Sequence, residues 1–269
     1  MSTNQQPYFT HNVSIPSELR GKPFHELMQL HEARHVRYPH EGTIYAAAAY
    51  EFSYHSAEGE QQERTARQIA ALGLLGFNHA RNGAGASEAL PPFGHVLRIS
   101  PAERGPRIQQ AIIDTTFLRA RMHASYALAK RLEGKTPDDL HLEGARRAFR
   151  ETQAGLRKLA SKPGEYSDVA ARVNDGDFTL ELAMGSPARA ALVAFQGLGI
   201  ALRSRRENQS FSDYTRPIME QAGNLGRALL STFTNSSRQR VLERQALSRL
   251  SALPAGEALA AFGSPATTQ

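Results

Sequence analysis

The chain has no cysteine and no tryptophan, and only 7% of its residues are aromatic. Without cysteine there can be no disulfide, no thiolate nucleophile and no Cys-ligated zinc, which excludes cysteine proteases, zinc ribbons and thiol redox chemistry. A cytoplasmic setting fits that composition. Nowhere do 18 apolar residues run together, so a membrane span is not expected. The first residues, MSTNQQPYFTHN, carry neither a basic start nor an apolar stretch and do not read as a signal peptide. Lysine is scarce too: Lys22, Lys130, Lys135, Lys158 and Lys162 are the only five among 32 basic residues, leaving 27 arginines.

What is present points to helices. A length of 269 residues suits one large domain or two small ones, with a sizeable core. That core must come mostly from Ala, Leu, Ile, Val and Phe, a mixture that favours packed helices over sheets. The net charge of +6 rests on arginine, whose planar fork suits phosphates and guanine edges. A GC-rich coding bias would produce the same excess, so the charge permits nucleic-acid binding without establishing it.

The pattern predicts a mainly α protein with a few short β-strands, built as a multi-helix bundle. Residues 1–77 read as a small N-terminal helical region with a short strand near Tyr8–Ile15. Its first helix spans Phe24–Val36, with Phe24, Leu27, Met28 and His31 on one side. TIYAAAAYEF suits helix by its alanines and strand by its Ile and Tyr; helix is preferred. A further helix over Glu58–Leu75 should end at Gly73 and Gly76. Residues 78–94, rich in Gly, Ala, Ser and Pro, read as a linker. A main helical domain then covers 95–253, and 254–269 read as a tail without regular structure.

Within that domain His95–Ser100 alternates as a strand, and two helical runs follow, Pro101–Ile113 and Thr116–Leu132, separated at Asp114-Thr115-Thr116. Thr136 caps a helix reaching about Ala160, with Leu140, Ala145, Ala148, Phe149, Leu156 and Leu159 inward. Phe178–Ala183 alternates as a second strand. Ser186-Pro187 starts a helix, Ala188–Leu202, apolar nearly all round and so expected to be central and buried. Helices from Asp213 to Thr232 and over Arg238–Leu253 complete the chain.

Two stretches carry candidate chemistry. His31-Glu32-Ala33-Arg34-His35 places two histidines four apart on one helical face, the spacing that grips zinc, with Glu32 placed to polarise a bound water. Arg34 inside the motif and Pro39 within a turn of His35 argue against a metal, and the alternative is a helix that is merely His-rich. Gly83-Ala84-Gly85-Ala86 lacks the Lys-Ser/Thr ending of a phosphate loop. No cofactor is expected.

The second stretch has the outline of a ribbon-helix-helix unit. Leu97 and Ile99 would face the core, leaving Arg98 and Ser100 to read base edges, while Arg104 and Arg107 reach phosphates. The alternative is a plain edge strand beside a helical hairpin.

From about His95 to Arg205 the order of elements resembles a family from integrating conjugative elements and transfer plasmids, typified by the AcaB-type transcriptional activator. The features concerned are the LRIS strand, the helix ending in AKRLEG, the acidic step TPDDLHLEGARRAF, the strand FTLELAMGSP and the apolar helix ALVAFQGLGIALRSRR. The resemblance implies a regulator of transfer genes that binds double-stranded DNA as a homodimer through its ribbon, with Arg98 and Ser100 as base readers. The other readings are a protein-interaction module or secreted bacterial effector, and a zinc-dependent hydrolase built on His31, Glu32 and His35.

Overall fold

The computed structural model describes residues 10, 12–56, 60–96, 98, 105–136, 139–160, 166–203, 210–233 and 236–252. Every regular element among them is helical: α1 (Phe24–Arg34), α2 (Pro39–His55), α3 (Gln61–Arg81), α4 (Ala86–Val96), α5 (Pro106–Leu132), α6 (Asp139–Leu159), α7 (Ser167–Ala183), α8 (Pro187–Arg203), α9 (Phe211–Leu230) and α10 (Ser236–Ala252). Single 3-10 turns lie at Ser17–Leu19 and Ser231–Phe233. The expected mixture of helices with short strands is thus corrected to helices alone among the described residues. None of these helices is long and apolar enough to cross a membrane. The described residues form two compact units, one up to Met122 and one from His123 onward, the division falling within α5.

In the first unit α1 packs on α2, α2 on α3 and α3 on α4. The expected face of α1 is the buried one: Phe24, Leu27, Met28 and His31. Pro39 opens α2 at its first position, where its missing N–H costs nothing. The four alanines Ala46–Ala49 are all buried, which lets α2 lie close to its neighbours. Gly42 lies inside α2, and a Cβ there would sit 3.0 Å from His35 Cβ and 3.1 Å from Asn78 Oδ1.

Helix α3 likewise runs through Gly73 and Gly76, where an ending was expected. Both mark close approach: a Cβ on Gly73 would meet Thr115 Oγ1 at 2.7 Å, and one on Gly76 would meet the Phe93 ring at 2.6 Å and the Ala89 carbonyl oxygen at 2.7 Å. The stretch 78–94, expected as a loop, is helical to Arg81 and again from Ala86, around a turn in which Gly83 adopts φ +82°. Ala89, Phe93 and Val96 recur at helical spacing and are buried, so packing on α3 outweighs Pro91 and Pro92 within α4.

The strand expected at His95–Ser100 is absent where it can be seen: His95 and Val96 belong to α4, and Arg98 follows in a turn. The two helices expected after it are one, α5. Asp114, Thr115 and Thr116, read as a break, are buried in mid-helix. Thr116 Oγ1 donates to the Ile112 carbonyl at 2.8 Å and Thr115 Oγ1 to the Ile69 carbonyl on α3 at 3.2 Å, so two polar side chains meet backbone acceptors without ending the helix.

In the second unit α7 is central, touching α6, α8 and α10, while α8 also packs on α9. Phe178–Ala183, expected as a strand, lies within α7. Its apparent alternation carries no in-and-out meaning, because Thr179 and Glu181 are buried alongside Phe178 and Leu180. Val169, Val173, Leu180 and Met184 extend the helical period to either side. Phe178 joins Ala190, Val193 and Ala194 of α8 and Ala228 of α9 in a small apolar core. In α6, Ala145, Ala148, Phe149 and Leu156 face inward as expected, but Leu140 is 71% exposed. Tyr8, Phe9 and His11 of the strand near Tyr8–Ile15 lie outside the described residues, as do 254–269; no strand forms over residues 12–15.

Candidate functional site

The His31/His35 pair has a defined geometry. The rings stack at 4.5 Å with planes 11° apart. His35 Nδ1 donates to the His31 carbonyl at 2.9 Å, the only role open opposite a carbonyl oxygen. Asn78 Nδ2 donates to His31 Nε2 at 2.9 Å, which places the His31 proton on Nδ1. Arg81 closes the end of α1 by donating to the carbonyls of His35 (2.6 Å) and Val36 (2.9 Å). Fully buried Arg121 lies over the Phe77 ring at 4.3 Å and near Phe117 at 5.7 Å. Burial, then His35, Arg81 and Arg121, hold His31 well below the usual imidazole range. Burial lowers His35 as well.

This donor set does not fit zinc. Ligand atoms of His31, Glu32 and His35 gather within 4.8 Å, yet tetrahedral Zn–N bonds of about 2.0–2.1 Å require closer donors. His31 Nε2 is engaged by Asn78, its other nitrogen carries the proton, and Glu32 is exposed while both histidines are buried. Two guanidiniums, those of Arg81 and Arg121, already act on the pair, and a dication would meet the same repulsion. The arrangement is a hydrogen-bonded polar core that ties α1 to α3.

The expected DNA-reading residues are not brought together. Arg98 is exposed in the turn after α4. Arg107 is exposed in the first turn of α5, 3.8 Å from Glu63. Ser100 and Arg104 lie outside the described residues. Among the described residues of that stretch, His95 and Val96 belong to α4 and Arg98 to a turn, so none of the three lies in a strand.

Two features of the second unit had no counterpart in the sequence reading. One is an ionic cluster: Arg146 donates to both oxygens of Glu181 at 2.6 and 2.8 Å and to Glu143 at 2.7 Å, linking α6 to α7. Arg189 of α8 approaches Glu143 at 3.8 Å and Glu181 at 3.9 Å. Asp177, one turn before Glu181, has its carboxyl pushed up to about 7 by burial and by the Glu181 charge.

The other is a surface. Helix α8, expected to be buried all round, buries Ala190, Val193, Ala194, Gly197 and Ala201 and exposes Leu192 (57%), Phe195 (64%) and Leu202 (51%) on the opposite side. Helix α9 buries Gln221, Asn224 and Ala228 and exposes Met219 (70%), Leu230 (71%) and, in the turn after it, Phe233 (86%). Large apolar side chains thus face out while amides face in. Asn174 and Asn224 both donate to Gln221 Oε1, at 3.5 and 3.4 Å, so the interior amides are hydrogen-bonded. The signal was legible: Met219, Gly223, Gly226, Leu230 and Phe233 keep a seven-residue rhythm distinct from that of Gln221, Asn224 and Ala228. Comparisons with protein-family models, curated proteins and solved structures find no match to this chain.

Proposed function

We propose that the chain is a helical assembly module whose C-terminal unit joins other proteins by helix-on-helix packing. The observation that carries this reading is the outward set of large apolar residues on α8 and α9. Large apolar side chains grouped in solvent along one side of a helix mark interaction sites. The histidine pair is a hydrogen-bonded core, and the Arg146–Glu181 cluster is an ionic tie between helices; neither presents a nucleophile with an adjacent base.

A second reading, a basic DNA-binding regulator or accessory protein of a mobile element, has one structural support. Helix α6 exposes Arg147, Arg150, Arg157 and Lys158 along a single side. Glu143 and Glu151 interrupt that side, which weakens it as a phosphate track. A photo-crosslinking residue placed at Phe195, at Phe233 and at Arg157 separates the two readings in cells that make the protein. The assembly reading expects discrete protein adducts from Phe195 and Phe233. Adducts to DNA from Arg157, with none from the other two positions, would contradict it in favour of the second.

A further inference from the structure

We infer that the partner covering α9 is a second copy of this chain, the two α9 helices lying antiparallel across the Gly223–Gly226 window. The inference rests on the assembly reading and names its partner.

At about 100° per residue, Met219, Gly223, Gly226 and Leu230 fall on the side of α9 opposite buried Gln221, Asn224 and Ala228, and exposed Phe233 follows in the 3-10 turn after it. A Cβ added at Gly223 or Gly226 would meet nothing within 4 Å, so the backbone is bare at the middle of this face. Larger apolar residues stand at both ends of it. That is the shape into which another helix settles at close range, with the flanking side chains interdigitating.

The charges decide what that helix is. Asp213, Arg216, Glu220 and Arg227 all lie along one flank of the apolar face; the other flank, through Ile218, Leu225 and Leu229, carries none. Asp213 is paired with Arg216 at 2.6 Å within the chain. Glu220 and Arg227 lie equally far on either side of the midpoint between Gly223 and Asn224. A two-fold axis perpendicular to the helices keeps the charged flanks together and reverses their direction. Glu220 then lies across from Arg227 of the second copy, and the contact occurs twice. A two-fold axis parallel to the helices would set the charged flank against the uncharged one and lose both contacts. The pattern is therefore self-complementary in the antiparallel arrangement, a property that a helix from another protein would match only by coincidence.

Sedimentation velocity on the full chain, from low micromolar to about 100 µM, tests this directly. The wild type should be a reversible dimer. Glu220→Arg and Arg227→Glu should each weaken association roughly tenfold, since each turns two attractive contacts into repulsive ones. An equimolar mixture of the two variants should recover the wild-type affinity, because every mixed pair again joins opposite charges. Gly226→Leu should abolish the dimer without lowering the melting temperature, as the site is open in the single chain. A wild type that stays monomeric across the range overturns the inference, as does a dimer that survives Gly226→Leu or variants that fail to recover on mixing. If the wild type is monomeric while Phe233 still crosslinks to another protein, only the self-pairing falls and the assembly reading stands.

Discussion

Asp177 and His31 shift in opposite senses on the pKa scale for the same reason, that burial disfavours charge, and the consequences for stability also run opposite ways. The Asp177 carboxyl rises from an ordinary 3.8 to about 7, so its native proton stabilises the fold fully below the ordinary value and ceases to do so as pH climbs through about 7. Asp177→Asn mimics the uncharged form and should melt higher than wild type, by a margin that grows from pH 4 to pH 8; thermal scans across that range check it, and a margin independent of pH would count against it. His31 lies below its ordinary 6.5, so its contribution is complete above that value and fades as pH falls below it, when the unfolded chain takes up a proton the native ring refuses. Asn78→Ala should leave His31 Nε2 buried without a donor and cost about 1–3 kcal/mol, measured by denaturant unfolding. The inward side of α1 was legible because Phe24, Leu27, Met28 and His31 repeat at helical spacing. The partner of His31 was not, because Asn78 lies 47 residues away and nothing local marks it.

At the level of elements, glycine shows where composition misleads. Gly73 and Gly76 look like the end of a helix, and they are close-packing positions inside one. Gly76→Ala should cost about 1–3 kcal/mol, since a Cβ would press on Phe93 and on the Ala89 backbone. Gly94→Ala in α4 meets nothing within 4 Å and should instead stabilise by ~0.5–1 kcal/mol through helix propensity. Chemical denaturation of the two variants side by side checks both signs. Most helices were readable from periodicity and from start signals such as Pro187. Phe178–Ala183 was misread because a window of about six residues cannot tell alternation from a helix buried on nearly all sides. The Asp114-Thr115-Thr116 step failed for a related reason, as its threonines find acceptors at Ile112 and Ile69 that only the packed fold supplies.

For the whole molecule, the decisive feature is which side of α8 and α9 faces out. Counting apolar residues makes α8 look central, whereas the structure leaves Leu192, Phe195 and Leu202 uncovered. Sequence alone could show that α9 has two distinct faces, yet hydrophobicity would have placed the wrong one inside. Gln221 and Asn224 occupy the interior because they bond to each other and the former also to Asn174, and Gly197 makes room for them: a Cβ there would collide with both Asn174 Nδ2 and Gln221 Oε1. On α6 the exposed Arg147, Arg150, Arg157 and Lys158 share their side with Glu143 and Glu151, so the basic residues there give less direction to function than the apolar faces do. The most direct measurement pairs stability with association in one variant, Phe195→Ser, Met219→Ser, Leu230→Ser and Phe233→Ser together. If these side chains serve assembly, unfolding free energy should change by no more than about 0.5 kcal/mol per site while sedimentation shows every associated species lost. A collapse in stability of several kcal/mol, the signature of a disrupted core, or association left intact, would contradict the account.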